Sequence, residues 1–325
     1  MILSASRRTD LPCYFSEWFF NRLKEGYALY RNPMNHAQVC RVDLSQENID
    51  GIVFWTKDPH PMMDRLEQLD LMGYSYYFQF TLTPYGLPVI ETGTSSSSKP
   101  ISGATISSIQ IKEQESAEFG NEIEPNLRDK RNIVDTFRQL SKRLGKNRVF
   151  WRYDPIILND IYTMDYHKKQ FTFLCQELAG YTDICTISFV DRYSKLSKKV
   201  KEQVIREITA EEMHQLATEL VRIAKPYQIE LRACCETIDL SGDGIKAAAC
   251  IDKEIMEQVC GHSIVAKKDK SQRGGCGCVQ SVDIGAYNTC RNGCVYCYAN
   301  HSETSISKNL EKHDPRSPML IGNIF

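Results

Sequence analysis

Along the first 236 positions the apolar residues fall into two alternating rhythms. Short runs rich in β-branched and aromatic side chains predict strands at 2–6, 38–44, 51–55, 74–82, 148–153, 183–189 and 229–235. Between them, apolar residues spaced three and four apart predict amphipathic helices over 15–25, 61–72, 132–144, 166–178 and 210–224. Thr209 and Glu212 form a capping box that opens the last of these. Strand–helix alternation on this scale predicts an α/β fold with a parallel sheet, and in a chain of 325 residues it reads as a TIM-barrel-like (βα) barrel, full or partial.

Two stretches break the rhythm. Positions 91–131 carry GTSSSSKPISG and then a charged segment with little apolar periodicity, which reads as an inserted, mobile surface loop. After Glu236 a short helix near 251–259 and a basic patch (Lys267, Lys268, Lys270, Arg273) lead into a Gly/Cys-rich tail. The expected division is therefore a barrel-like domain over 1–260 and a tail over 261–325 that folds over the barrel mouth.

Charge and composition narrow the function. Forty Lys and Arg against 41 Asp and Glu leave a net charge of -1, so no overall field draws the chain to nucleic acid or an anionic membrane. The opening MILSASRRTD has an Arg pair and an Asp where a secretory signal needs an apolar core, and no run approaches the roughly 18 apolar residues of a membrane span. A cytoplasmic protein with no membrane partner is expected. Thirteen cysteines, an odd number, then read as metal ligands plus buried thiols rather than disulfides.

The densest chemistry is Cys290-x3-Cys294-x2-Cys297 in the tail. Thiolates are soft ligands for iron–sulfur clusters or zinc, and three within eight residues converge when the backbone wraps a metal centre. A structural zinc completed by Cys276, Cys278 or His301 is the bland alternative. Cys276-x-Cys278 itself reads as ligands of a second metal, as a thiol donor, or as packing. Cys234 and Cys235 end a strand, so one of them faces the interior. Cys13, Cys40, Cys175, Cys185, Cys250 and Cys260 read as small core residues.

Strand ends add a second signal, because α/β enzymes place functional groups at the carboxyl ends of their strands. Just past the apolar runs stand Arg7, Arg8 and Asp10, then Lys57 and Asp58, Arg152 and Asp154, Asp191 and Arg192, and Glu236. Arg7, Arg8, Asp10 and Lys57 are candidates for holding a charged cofactor. Arg152, Asp154 and Glu236 are candidates for catalysis; Arg152 and Asp154 sit within Trp151-Arg-Tyr-Asp-Pro155, where an Arg on an aromatic ledge can grip a carboxylate. A metal-dependent hydrolase fits poorly, since His36, His60, His167 and His214 show no ligand-spaced pair.

The segment CRNGCVYCYAN resembles the cluster motif of the radical S-adenosylmethionine superfamily, with Tyr296 as the aromatic residue before the third cysteine. SASRRTD, FWTKDP, WRYDPI and CGCVQSVDIGAYNTC extend a likeness to an uncharacterised family with such a C-terminal cysteine cluster. The resemblance implies a 4Fe-4S cluster on Cys290, Cys294 and Cys297, an open iron that chelates S-adenosylmethionine, Tyr296 against the adenine, and a reductant partner such as flavodoxin or ferredoxin. It implies a radical enzyme acting on an unknown substrate. The chain departs from the superfamily in placing the cysteines after the last strand, and in lacking a Gly-Gly-Glu element. The competing reading is a barrel with a structural zinc or iron–sulfur tail that serves as a binding module, with nucleic acid supported by the basic patch alone.

Overall fold

The computed structural model describes residues 1–88, 122–191, 196, 204–236, 238–273 and 275–322. Its strands are β1 (Ile2–Ala5), β2 (Tyr27–Asn32), β3 (Asn35–Asp43), β4 (Gly51–Thr56), β5 (Tyr76–Thr81), β6 (Val149–Ile156), β7 (Ile184–Phe189), β8 (Glu230–Ala233), β9 (Lys246–Ala247) and β10 (Val282–Asp283). The helices are α1 (Leu11–Tyr14), α2 (Ser16–Glu25), α3 (Leu66–Leu71), α4 (Lys130–Leu144), α5 (Met164–Leu178), α6 (Ala210–Ala224), α7 (Lys253–Cys260) and α8 (Glu303–Leu310). The Thr209–Glu212 capping box forms in full. None of the helices among the described residues is long and apolar enough to cross a membrane.

Eight strands make one sheet in the order β10-β1-β4-β5-β6-β7-β8-β9, with every neighbouring pair parallel. The barrel expectation is overturned here. The two edges, β9 and β10, are two-residue strands not bonded to each other, so among the described residues the sheet is open. Strand–helix alternation buries parallel strands in the same way whether or not the edges meet, so the apolar pattern could not separate the two. The strand expected at 38–44 also leaves the main sheet. Gly26, at φ 77°, ends α2 and lets the chain turn at once into β2, which pairs antiparallel with β3 as a separate hairpin.

The sheet has two unlike faces. Leu3, Ala5, Ile52, Phe54, Tyr76, Phe78, Phe80, Val149, Trp151, Tyr153, Cys185 and Ile187 point one way, into the large core with helix residues such as Phe19, Phe137, Phe171 and Leu220. Their neighbours in sequence point the other way, as a period of two requires. Ile2, Val53, Tyr77 and Phe150 on that second face meet Ile251 and Met256, so α7 covers its amino-terminal end. The tail adds β10 beside β1 and is tied to α2 where Trp18 Nε1 donates to the Ser317 carbonyl at 2.9 Å and Arg22 to the Arg316 carbonyl at 2.9 Å.

His167 locks β6 to α5. The Tyr153 hydroxyl meets its Nδ1 at 2.7 Å and its Nε2 meets the Ile157 carbonyl at 2.8 Å, an arrangement that suits a neutral ring donating from Nε2 to the carbonyl and accepting at Nδ1. Burial, only partly offset by the Ile157 carbonyl, lowers its pKa to about 4. An unfolded His binds its proton near pH ~6.5, so unfolding takes up a proton between the two values. Stability is then intact above about pH 6.5 and falls by about 3 kcal/mol as the pH drops toward 4. Urea titrations across that range should show the loss, and His167→Phe should flatten it.

Candidate functional site

Toward the carboxyl ends of the strands the second face turns polar. Ser6, Trp55, Lys57, Thr81, Arg152, Asp154, Ser188 and Cys234 share it, and with the tail they line a cavity of about 570 Å³. Arg7, Arg8, Asp10, Lys57, Arg152, Asp154, Cys290, Cys294, Tyr296 and Cys297 all border this space. Nearly every residue singled out from strand ends and from the cysteine motif therefore meets at one place. Asp58 and Glu236 are the exceptions: Asp58 pairs with Arg128 at 2.5 Å, while the Glu236 carboxylate accepts from the Phe189 backbone N–H at 3.0 Å and burial raises its pKa to about 7. Arg192 lies outside the described residues.

The cysteine loop is fixed from two sides. On one side Asn292 donates to Asp10 at 3.1 Å and accepts from the Tyr14 hydroxyl at 2.6 Å. Asp10 also accepts from the Lys57 backbone N–H at 2.8 Å, so one carboxylate ties the ends of β1 and β4 to the loop. Burial raises its pKa to about 6 against the pull of those hydrogen bonds. On the other side residues 122–128, at the end of the stretch read as an insertion, pack against the loop. The Val295 N–H donates to the Ile123 carbonyl at 3.0 Å and Asn126 Nδ2 to the Arg291 carbonyl at 2.8 Å. Gly293 sits at φ 72°, where an added Cβ would fall 2.8 Å from Asn126 Nδ2, so this turn needs glycine for both conformation and space. Residues 91–121 lie outside the described set.

Glu124 is the centre of that second side. It is fully buried and takes Lys57 at 2.7 Å, Thr83 at 2.7 Å, and close contacts from Lys130 and the Tyr296 hydroxyl. Burial pushes its pKa up, but the ammonium groups of Lys130 and Lys57 outweigh that and hold it well below the usual carboxylate range. Two ammonium groups, that of Lys130 buried and that of Lys57 partly buried, share this carboxylate, so the cluster carries a surplus positive charge. That charge faces Cys294, whose thiolate would favour the charged form of Lys57.

The chemistry of the donor set suits a cluster. Cys290, Cys294 and Cys297 lie within one another's fields, burial raises all three thiol pKa values (Cys290 to about 12), and Lys57 acts against that rise at Cys294 and Cys297. Metal binding would displace the protons that burial retains on such a group of thiols. Among the described residues no group of three or more His, Cys, Asp or Glu side chains is placed to hold a metal ion.

The arginines divide in role. Arg152 is engaged within the chain, by Asp154 at 2.5 Å and by Cys250 Sγ at 2.8 Å. Arg8 holds the tail, through the Asp283 and Gly285 carbonyls at 3.4 Å each. Arg7 lies over the Trp55 ring at 4.9 Å and has no ion-pair partner among the described residues. Trp55 lines the cavity between the two, with Arg152 at 5.5 Å from its centroid and a buried indole N–H that has no partner among the described residues.

A family model described as a domain of unknown function (DUF1848) matches residues 2–115 and 113–299. The chain belongs to this family. The DUF1848 match takes in β1, the strand ends and the whole cysteine loop. A comparison with curated proteins finds no match.

Sequence reasoning passed over Glu124, Asn292, Trp55, Asp283 and Cys250 in this DUF1848 site. Polar residues at alternate positions of otherwise apolar strands, Gln79 and Thr81, Arg152 and Asp154, Thr186 and Ser188, were a usable signal for the cavity face. Glu124 gave none, since apart from Lys130 its partners are distant in sequence. Glu124→Gln should leave two cations unmatched and cost about 3–5 kcal/mol in a urea titration. Glu124→Leu combined with Lys130→Met should recover part of that loss.

Proposed function

We propose that this protein is a radical S-adenosylmethionine enzyme in which Cys290, Cys294 and Cys297 hold a 4Fe-4S cluster. The observation that carries the reading is charge set against sulfur: three desolvated thiols and the surplus cation of the Lys57–Glu124–Lys130 group border one cavity of about 570 Å³. Cavities of roughly 300–1,000 Å³ are the size that buries a cofactor-scale ligand. When bound, the cluster and S-adenosylmethionine supply one-electron cleavage of the sulfonium to a 5′-deoxyadenosyl radical, with the electron taken from a reductant such as flavodoxin or ferredoxin.

The chain's own residues bind and position. Lys57 offsets the negative charge of ligated sulfur at Cys294 and lies 5.4 Å from the Tyr296 ring centroid. Tyr296, pinned through its hydroxyl by Glu124, offers a fixed aromatic edge to an adenine. Arg7 presents unpaired N–H groups to a carboxylate, and its stacking on Trp55 keeps the guanidinium plane from swinging away. Asp10 acts through Asn292 as a positioning residue for the cysteine loop. Arg152, already saturated by Asp154, shapes the wall instead of gripping a ligand.

Anaerobic reconstitution with iron and sulfide, then dithionite and S-adenosylmethionine, should yield 5′-deoxyadenosine. Cys294→Ala should abolish it and leave the circular dichroism spectrum unchanged, because the loop lies outside the sheet's core. A colourless protein that forms no 5′-deoxyadenosine would overturn the reading. Arg7→Ala should weaken S-adenosylmethionine binding by about 1.5–3 kcal/mol, roughly ten- to a hundredfold in Kd, by equilibrium dialysis.

A further inference from the structure

Two cysteines meet on the cavity wall away from the cysteine loop. Cys234 directly follows β8, Cys250 follows β9, and their Sγ atoms are 3.0 Å apart. Carbon atoms that merely pack sit roughly 3.5–4.0 Å apart and sulfur is the larger atom, so this contact is closer than packing requires. Backbone hydrogen bonds hold both partners in place. β8 and β9 run parallel with Ala233 opposite Ala247, and the Ala248 N–H donates to the Ala233 carbonyl at 2.8 Å, so the two segments are still side by side as the cysteines approach. The Cys234 N–H donates to the Ile187 carbonyl at 3.2 Å, and the Cys250 carbonyl accepts from the Tyr77 hydroxyl at 3.0 Å and from Gln79 Nε2 at 2.9 Å. Neighbouring strands lie about 4.8 Å apart, inside the roughly 4.4–6.8 Å between Cα atoms that a disulfide spans, and reaching an S–S bond of about 2.05 Å takes a shift of about 1 Å.

We propose that Cys234 and Cys250 are a redox-active dithiol, which closes to a disulfide by exchange with a low-molecular-weight disulfide that enters the cavity.

The two sulfurs differ in access. Cys234 is half-buried, Cys250 is only 4% exposed, and the cavity they both line reaches solvent at Ser271 and Arg273. Entry therefore falls to Cys234 and resolution to Cys250. Cys234 Sγ attacks one sulfur of the small disulfide; that S–S bond breaks, one small thiol departs with the Cys234 proton, and Cys234 is left in a mixed disulfide. Cys250 Sγ then attacks Cys234 Sγ, and the second small thiol departs with the Cys250 proton. Two protein thiols are oxidised as one disulfide is reduced to two thiols, and the reverse exchange restores the pair. Arg152, whose charge Asp154 already meets, places one N–H 2.8 Å from Cys250 Sγ, where it favours the attacking thiolate. At rest both thiols keep their protons: the hydrogen bond to Cys250, with burial, raises the Cys234 pKa, and that of Cys250 is raised as well. Closure would tie the two-residue edge strand β9 to β8 and take a thiol pair off the cavity wall. The inference does not rest on the role given to the tail loop.

The test treats the reduced full chain with excess oxidised glutathione, then alkylates the remaining thiols, and maps the digested protein by mass spectrometry. A cross-link between Cys234 and Cys250, lighter by two hydrogens and released by dithiothreitol, supports the site. Cys250→Ser should stop the reaction at a glutathione adduct on Cys234. Full alkylation of both cysteines in the treated wild-type protein overturns the proposal, as does a cross-link from Cys250 to Cys278 in its place. An adduct spread evenly over the exposed cysteines of the Cys250→Ser chain overturns it too. Should that variant unfold, an acid-quenched time course on the wild-type protein decides: a Cys234 adduct that rises and falls ahead of the cross-link supports the assigned order, and an adduct that forms first on Cys250 overturns it.

Discussion

A parallel strand sends alternate side chains to opposite faces, so a sheet whose one face is packed under helices must have its other face covered by something else. Here that cover is incomplete. Helix α7 and the residues before it close the amino-terminal end of the second face over Val53, Tyr77 and Phe150. Toward the carboxyl ends the same face carries Gln79, Arg152, Asp154 and Ser188, groups that resist dry burial, and the cavity forms where the apolar cover stops. The tail completes the enclosure, since β10 extends the sheet beyond β1 and places the cysteine loop against the strand ends.

Charge then organises what faces that space. Two ammonium groups converge on Glu124 beside one set of thiols, and two guanidinium groups flank Trp55 beside another. At Glu124 the ammonium groups outnumber the carboxylate, whereas Arg152 is met by Asp154 and Arg7 lies in the field of Asp283. The basic patch has a different character: Arg273 is met at the surface by Asp191 at 2.6 Å, and exposed pairs of this kind contribute little.

Anchoring of the cysteine loop is divided between elements far apart in the chain. Asp10 reaches it from the end of β1, and residues 122–128 reach it from the start of α4. Both contacts run through hydrogen bonds to backbone or amide groups of the loop, which fixes its path without using the sulfurs. The thiols are thereby left to face the cavity, and Glu124 connects the loop's aromatic residue to the same lysine that borders Cys294.

Local pattern by itself determined the elements and the chemistry of the motif. The helices at 132–144, 166–178 and 210–224 match α4, α5 and α6 within two residues, because periods of two and 3.6 and a capping box are properties of neighbouring positions. The cysteine spacing and the charges after each strand were equally local, and they did converge on one cavity. Tertiary structure alone decided whether the sheet closed, since that depends on the pairing of two edge strands of two residues each, too short to register as pattern. It also decided that Glu124, read as part of a loop, is a buried partner of Lys57 across 67 positions, that Arg152 is answered by its neighbour Asp154, and that Cys250, a core residue as expected, meets Cys234 there. Such pairings arise when distant segments are brought together, and no periodicity along the chain encodes them.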